Sequence, residues 1–200
     1  MATEILATTS GQLYETDAVY ATAHDDTDGF VSQDGNTIEV NNSLAGGVYY
    51  VYRNGLVFDT SAITGGILSA KISVYGVDVN IAFSDFDIVI VSGADLVDVF
   101  VSADYGELLN EVTSFGSLSA SSFNIGAWND ITLNSQGIAA INKGGTTRFG
   151  IRNSKDIDNV TPNNWCYAQY RGQYIGFGIN YYPRLTIVPA IGYSQAQIIG

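Results

Sequence analysis

Short runs of apolar or alternating residues recur along the 200-residue chain, and clusters of Gly, Asn, Asp and Ser separate them. This pattern is typical of β-strands joined by turns, because apolar residues at every second position turn one side of a strand toward a core. The three prolines lie in loops or at the ends of candidate strands, where a missing N–H does little harm. The pattern therefore predicts an all-β fold.

The order of candidate elements predicts a sandwich. Strand patterns cover residues 5–8, 13–16, 37–40, 49–59, 67–75, 86–91, 112–118, 128–133, 147–152, 165–170 and 184–188, with turns at 41–47 and 64–66. Segments 102–110 and 135–144 fit short helices, since each starts at a serine that can cap the first amides. We expect a jelly-roll β-sandwich of two antiparallel sheets with one or two short helices.

The chain length suits one domain, expected over residues 1–188, in which residues 1–9 form an N-terminal strand or arm. Residues 189–200 follow the last candidate strand and carry no charged side chain. Because a free apolar tail is unfavourable in water, we expect it to pack on its own domain or to add a strand to a neighbouring subunit. The assembly residues would be Ile191, Tyr193, Ile198 and Ile199.

The charge balance limits the classes of partner. Twenty acidic and eight basic side chains give a net charge of −12, and no basic patch is available to neutralise phosphates. Binding to nucleic acid or to an anionic membrane surface is therefore not expected. No segment approaches the eighteen or so apolar residues of a membrane span. The N-terminus lacks a basic region followed by an apolar run, so we expect a secretory signal to be absent or already removed.

The sequence does not indicate any catalytic residue. The lone cysteine, Cys166, excludes an internal disulfide and is most simply a small buried residue. The one histidine, His24, falls in an acidic, loop-like segment, and no Gly-x-Ser-x-Gly motif accompanies it. Glycosidase chemistry needs only two carboxylates, but nothing in the sequence selects a pair.

Several ordered motifs resemble a known family. Residues 58–63 read Phe-Asp-Thr-Ser-Ala-Ile, and after a Gly-rich loop residues 69–75 read Ser-Ala-Lys-Ile-Ser-Val-Tyr. A Trp-Asn-Asp strand start at 128–130 and Pro-Arg-Leu at 183–185 follow. In this order they resemble the disaggregatase-related, or DNRLRE-type, carbohydrate-binding-module-like domains over roughly residues 49–188.

The resemblance implies a non-catalytic jelly roll of the kind found on extracellular polysaccharide-handling proteins and on some virus or phage surface proteins. Structural roles are expected for Asp59, Lys71 and Arg184, with Asp59 accepting backbone N–H bonds in a turn. Gly65 and Gly66 would supply positive-φ freedom to the loop that follows.

Calcium is the expected ion if the protein holds one, since jelly-roll binding modules often carry a structural Ca²⁺ and carboxylates are its preferred ligands. The candidate ligands are Asp25, Asp26 and Asp28 in one turn, and Asp156 with Asp158 in another. The alternative for both segments is a solvated acidic loop.

Exposed aromatics are the candidate contacts to a polysaccharide: Tyr50, Tyr52, Trp165, Tyr170 and Tyr174. In an alternating strand about half of such residues point inward, so core packing is the competing interpretation.

Low charge, abundant Tyr and Gly, and the apolar tail favour a self-assembling structural or adhesive protein, a subunit of a virion or an extracellular filament. A carbohydrate-binding module of a secreted or cell-surface protein is the alternative, and a polysaccharide hydrolase or lyase the third. An extracellular or virion-surface location is expected in each case.

Overall fold

The computed structural model describes residues 1–33, 35–173 and 179–190. In this part of the chain the strands are β1 (Thr3–Asp17), β2 (Phe30–Gln33), β3 (Thr37–Ala45), β4 (Val48–Asp59), β5 (Ile67–Asn80), β6 (Asp87–Ser92), β7 (Gly116–Ser119), β8 (Trp128–Thr132), β9 (Thr146–Asn153), β10 (Tyr167–Arg171) and β11 (Arg184–Pro189). Four short helices accompany them: α1 (Tyr20–Asp25), α2 (Asp104–Leu109), α3 (Ser135–Ala139) and α4 (Ser154–Ile157). The predicted all-β sandwich is confirmed.

All strand pairs are antiparallel, and six strands form a closed circuit of hydrogen-bonded neighbours. β1 pairs with β11 through its first residues and with β4 through the rest. The circuit continues from β4 to β3, β10 and β5, and returns through β11 to β1. β2 extends it beside β1, β8 beside β5, and β9, β6 and β7 beside β4. The two predicted sheets are therefore joined into one network.

Two cores lie on opposite faces of β4. Leu56 and Phe58 point into the main core, together with Ile72 and Phe149. Val57 points the other way, into a second core that helices α1 and α2 cover. Because both faces of the strand are buried here, residues 56–58 are continuously apolar instead of alternating.

Several boundaries differ from the sequence predictions. The predicted turn at 41–47 is mostly strand, and the reversal is confined to Gly46 and Gly47, whose φ angles of 60° and 81° suit a tight hairpin. Segments 5–8 and 13–16 belong to one continuous strand, and 112–118 is a strand only from Gly116. His24 lies on a helix, not in a loop. In the part of the chain that the structure describes, no helix has the length and apolar character of a membrane span.

Candidate functional site

A cavity of about 350 Å³ opens between strands β3 and β4 and the residue segment before β10. We call it the tyrosine groove, and its lining consists of Glu39, Asn41, Ser43, Ala45, Gly46, Tyr50, Tyr52 and Trp165. Its volume lies within the range usual for small-molecule pockets, about 300–1,000 Å³.

The β3–β4 hairpin brings these residues to one face. Its register places Asn41 opposite Tyr52 and Ser43 opposite Tyr50. Directly opposed residues in an antiparallel pair project to the same side, so polar side chains from β3 meet tyrosines from β4. The two-glycine turn fixes this register, since it leaves Ala45 paired with Val48.

Glu39 provides the carboxylate of the groove. Asn41 Nδ2 donates to its Oε1 at 2.6 Å and Gln169 Nε2 donates to its Oε2 at 3.0 Å. Burial raises the pKa of this carboxyl above its usual value and the charge of Asp78 acts in the same direction, whereas the two amide donors lower it. Burial and the neighbouring Glu39 charge raise the pKa of Tyr52 to about 12, so the phenol remains a neutral donor.

Two polar atoms of the lining have no partner among the described residues. Asn41 is 3% exposed and Ser43 is fully buried, yet Asn41 Oδ1 and Ser43 Oγ make no hydrogen bond within that part of the chain. The bond from Asn41 Nδ2 to Glu39 fixes which end of the amide is the oxygen. Buried polar atoms are normally paired, so these two are unused hydrogen-bonding capacity within residues of the groove wall.

Aromatic rings form one side of the groove. Tyr52 stacks on Tyr14 with ring centroids 4.8 Å apart and planes 9° apart, and Tyr14 stacks in turn on Phe30. Trp165, which is 49% exposed, leans on Tyr167 at a centroid distance of 5.9 Å. The stacking limits the motion of Tyr52 and leaves a firm amphipathic surface.

Three of the five predicted glycan contacts, Tyr50, Tyr52 and Trp165, lie together in this groove. The assignment of Tyr170 is corrected: its side chain is 1% exposed and packs in the main core. It alternates with Gln169, and the inward-facing residue of that pair is the tyrosine. Tyr174 lies outside the described residues.

The assignment of Asp156 as a metal ligand is also corrected. This fully buried carboxylate accepts two hydrogen bonds from Arg53, at 2.9 and 3.1 Å, and one from Arg152 at 2.6 Å. Burial alone would raise its pKa, but the two guanidinium groups lower the pKa of Asp156 to about 2. Both oxygens accept hydrogen bonds from arginine, and the two guanidinium charges beside the carboxylate disfavour a bound cation.

The same arginines bind helix ends to the sheet. Arg53 Nη2 donates to the His24 carbonyl in α1 at 2.8 Å, and its Nη1 to the Tyr105 carbonyl in α2 at 3.0 Å. Arg152 Nη1 donates to three carbonyls at the end of α2 and just after it, including that of Leu108 at 2.9 Å. The network is therefore structural, and it holds α1 and α2 over the second core.

The remaining predicted metal ligands do not converge. Asp25 Oδ1 faces His24 Nδ1 at 2.5 Å, Asp26 accepts the backbone N–H of Asp28, and Asp28 accepts from Ser102. Asp158 is exposed. Across residues 1–33, 35–173 and 179–190, no three acidic, His or Cys side chains are grouped closely enough to hold an ion. The donor sets at these two segments do not fit a calcium site.

The predicted assembly residues, Ile191, Tyr193, Ile198 and Ile199, lie outside the described residues. At the other terminus, Ile5 and Leu6 already pair with Leu185 and Arg184 of the same chain. The N-terminal segment is thus part of its own sheet.

Structural roles are confirmed for the motif residues. Asp59 Oδ1 accepts the backbone N–H of Ser61 at 3.0 Å, and Gly65 has a φ of 83°. The prediction for Gly66 is wrong, because its φ is not positive. Lys71 pairs with Asp130 at 2.5 Å. Arg184 stacks over Trp128 with its guanidinium carbon 4.0 Å from the ring centroid. Cys166 is buried, as predicted.

Sequence reasoning missed Glu39, Asn41 and Ser43 as groove residues. Their alternation is the signal that could have found them, since every second position from 39 to 43 is polar. The dense Asn-Asn-Ser sequence instead favoured a turn. No protein-family model matches the chain, and no curated protein matches it either. The resemblance to carbohydrate-binding-module-like domains therefore rests on the motifs alone.

Proposed function

We propose that this protein is a non-catalytic saccharide-binding domain and that the tyrosine groove holds the sugar. The observation that carries the proposal is the meeting of Tyr50, Tyr52 and Trp165 with the polar residues Glu39, Asn41 and Ser43 in the lining of one cavity. An extracellular or virion-surface location, as expected from the sequence, would suit this role.

The lining matches the chemistry of a pyranose ring. Each ring has an apolar face of C–H groups and a rim of hydroxyls. Aromatic side chains cover the apolar face with little loss of conformational entropy, because Tyr and Trp have few rotatable bonds. The polar side chains of β3 would then receive the hydroxyl rim, and small-molecule sites commonly combine these two kinds of contact.

The proposal is tested by replacing groove aromatics and measuring binding on a glycan array and by affinity electrophoresis. Tyr52→Ala and Trp165→Ala should each weaken binding about tenfold or more, which corresponds to about 1.4 kcal/mol. The matched control is Tyr181→Ala, because Tyr181 is 37% exposed, contacts Tyr75 and does not line the groove. Binding that survives both groove substitutions, or that is lost only with Tyr181, would contradict the proposed site.

A self-assembling structural or adhesive subunit remains the second proposal. The uncharged sequence after Ala190 supports it, and the two functions are compatible, since a surface subunit can also bind a glycan. Deletion of residues 191–200 tests it through the loss of higher-order assembly.

A further inference from the structure

The side chains that β3 contributes to the groove carry mainly free hydrogen-bond acceptors, whereas the Tyr50 and Tyr52 hydroxyls can also donate. Asn41 Oδ1 can only accept, Ser43 Oγ can accept or donate, and the Glu39 carboxylate has lone pairs beyond the two that its amide partners use. A ligand that satisfies these atoms must therefore present donors such as hydroxyl or amide N–H groups. An acceptor group without hydrogens would displace water from the Glu39 carboxylate without replacing its hydrogen bonds, which is costly.

The groove also carries a negative charge, and no lysine or arginine of the described residues forms an ion pair with Glu39. The hydrogen-bond partners of the Glu39 carboxylate are two neutral amides, and the acid that influences it is Asp78. Within the described part of the chain, the ion pairs of the lysines and arginines join other acids. An anionic ligand would thus meet a half-buried carboxylate at short range, where screening by water and salt is reduced.

We infer that the tyrosine groove selects uncharged saccharides, whose rims carry hydroxyl or acetamido groups, and rejects uronic-acid and sulfated chains. This inference rests on the proposed function, because it names the ligand class of the same groove. Tyr50, Tyr52 and Trp165 supply affinity for any pyranose face, whereas Glu39, Asn41 and Ser43 decide which rim is accepted.

Matched polysaccharide pairs provide the test. The full chain is titrated by affinity electrophoresis and calorimetry with three neutral polymers, a β-glucan, a galactan and a mannan. The same measurements use their uronate counterparts, which are a polyglucuronate, a polygalacturonate and a polymannuronate. At least one neutral polymer should bind about tenfold or more tightly than its uronate, as expected for one added like-charge contact at short range.

Glu39→Gln tests the cause, since the amide keeps the shape of the carboxylate and removes its charge, with the loss of one of the two hydrogen bonds from Asn41 and Gln169. The ratio of neutral to uronate affinity should fall about tenfold or more in this variant. Glu107→Gln is the matched control, because it makes the same change in net charge at an exposed position on α2. It should leave the ratio unchanged, and thermal melting of both variants checks that they are folded.

The outcomes separate the two proposals. Wild-type protein that binds uronates as well as neutral chains overturns the selection while leaving saccharide binding intact. A ratio that Glu39→Gln does not alter, or that Glu107→Gln alters equally, also overturns it. Failure of all six polymers to bind counts against saccharide binding itself and removes this inference with it.

Discussion

Among single residues, Asp156 is the side chain whose charge compensates two buried arginines. It is the only carboxylate in hydrogen-bonding contact with the two buried arginines, Arg53 and Arg152, in the described structure. Removing its charge leaves two guanidinium groups buried with reduced compensation. Breaking a buried ionic network in this way typically costs about 3–5 kcal/mol. The carboxylate therefore supports the helices that cover the second core.

We predict that Asp156→Asn lowers the free energy of unfolding by about 3–5 kcal/mol at pH 7, as measured by urea denaturation. Asp158→Asn is the matched control: the residue lies two positions further on, is exposed, and should change the same quantity by less than about 0.5 kcal/mol. Equal effects of the two substitutions would show that the arginines do not depend on Asp156.

The pH dependence of this difference follows from the sign of the pKa shift. The pKa of Asp156 is about 2 in the folded protein against 3.8 as the ordinary value. A lowered pKa means that the ionised form stabilises the fold, and this stabilisation is complete above the unfolded-state value. The difference between wild type and Asp156→Asn should therefore be constant above about pH 4 and shrink as pH falls toward about 2. Denaturation curves at pH 7, 4 and 2 measure it, and a difference that grows with acidity would contradict the assignment.

At the scale of elements, the strands β1 and β4 meet at a pair of opposed glycines, Gly11 and Gly55. The ring of Phe100 lies directly against both, so that a Cβ on Gly55 would be 2.4 Å from Phe100 Cζ. Because neither glycine has a side chain, the loop residue Phe100 can lie against the sheet and cover the second core.

Gly55→Ala should lower the free energy of unfolding by about 1–3 kcal/mol, because the buried Phe100 ring must move. In a Phe100→Leu background the same change should cost less, and a double-mutant cycle measures that coupling. Gly35→Ala is the control, since its Cβ would meet neighbours only at ordinary contact distances of 3.5 Å or more. Strictly additive effects of the two substitutions would refute the steric explanation.

The elements also show what the sequence could predict. Strands β5, β9 and β11 were located because their apolar residues alternate or run continuously between clear turn residues. The predicted β3 is too short because Asn and Ser are ordinarily turn formers. Pairing of Asn42 with Val51 in β4 and the bond from its Nδ2 to the Val160 carbonyl keep it in the strand. Helix α1 was missed because Val19 precedes it without a side-chain cap.

Only the aromatic half of the candidate site could be predicted from the sequence. Tyr50, Tyr52 and Trp165 could be named as aromatic contacts from composition and strand position. Their polar partners on β3 could not, because the meeting of two strands depends on register that no single strand reveals. The pairing of Asp156 with Arg53 and Arg152 could not be predicted either, since the arginines lie 103 and four positions away in the sequence. The neighbouring acidic residues indicated a metal site instead.

At the scale of the whole molecule, the closed circuit of six strands leaves short strands at the ends of the network: β2, β7 and β8, of four, four and five residues. Short edges limit uncontrolled sheet-to-sheet association. β2 nevertheless exposes Phe30 and Val31, at 57% and 37%. An edge of this kind can receive an added strand from another subunit, which is the mode of assembly expected from the C-terminal sequence.

Deleting residues 191–200 should abolish higher-order assembly and leave the domain folded. The structure sets the cut after Ala190, because Pro189 still pairs with Ile67 and the Ala190 N–H donates to the Gly66 carbonyl at 2.9 Å. Light scattering after size exclusion, together with electron microscopy, compares the full chain with residues 1–190, and thermal melting checks the fold.

A full-length control with Ile191, Ile198 and Ile199 changed to Ser keeps the length while removing apolar contacts, and it should assemble as poorly as the truncated chain. Assembly that persists in the truncated chain would place the subunit interface elsewhere, and a full chain that stays monomeric would leave saccharide binding as the function to pursue.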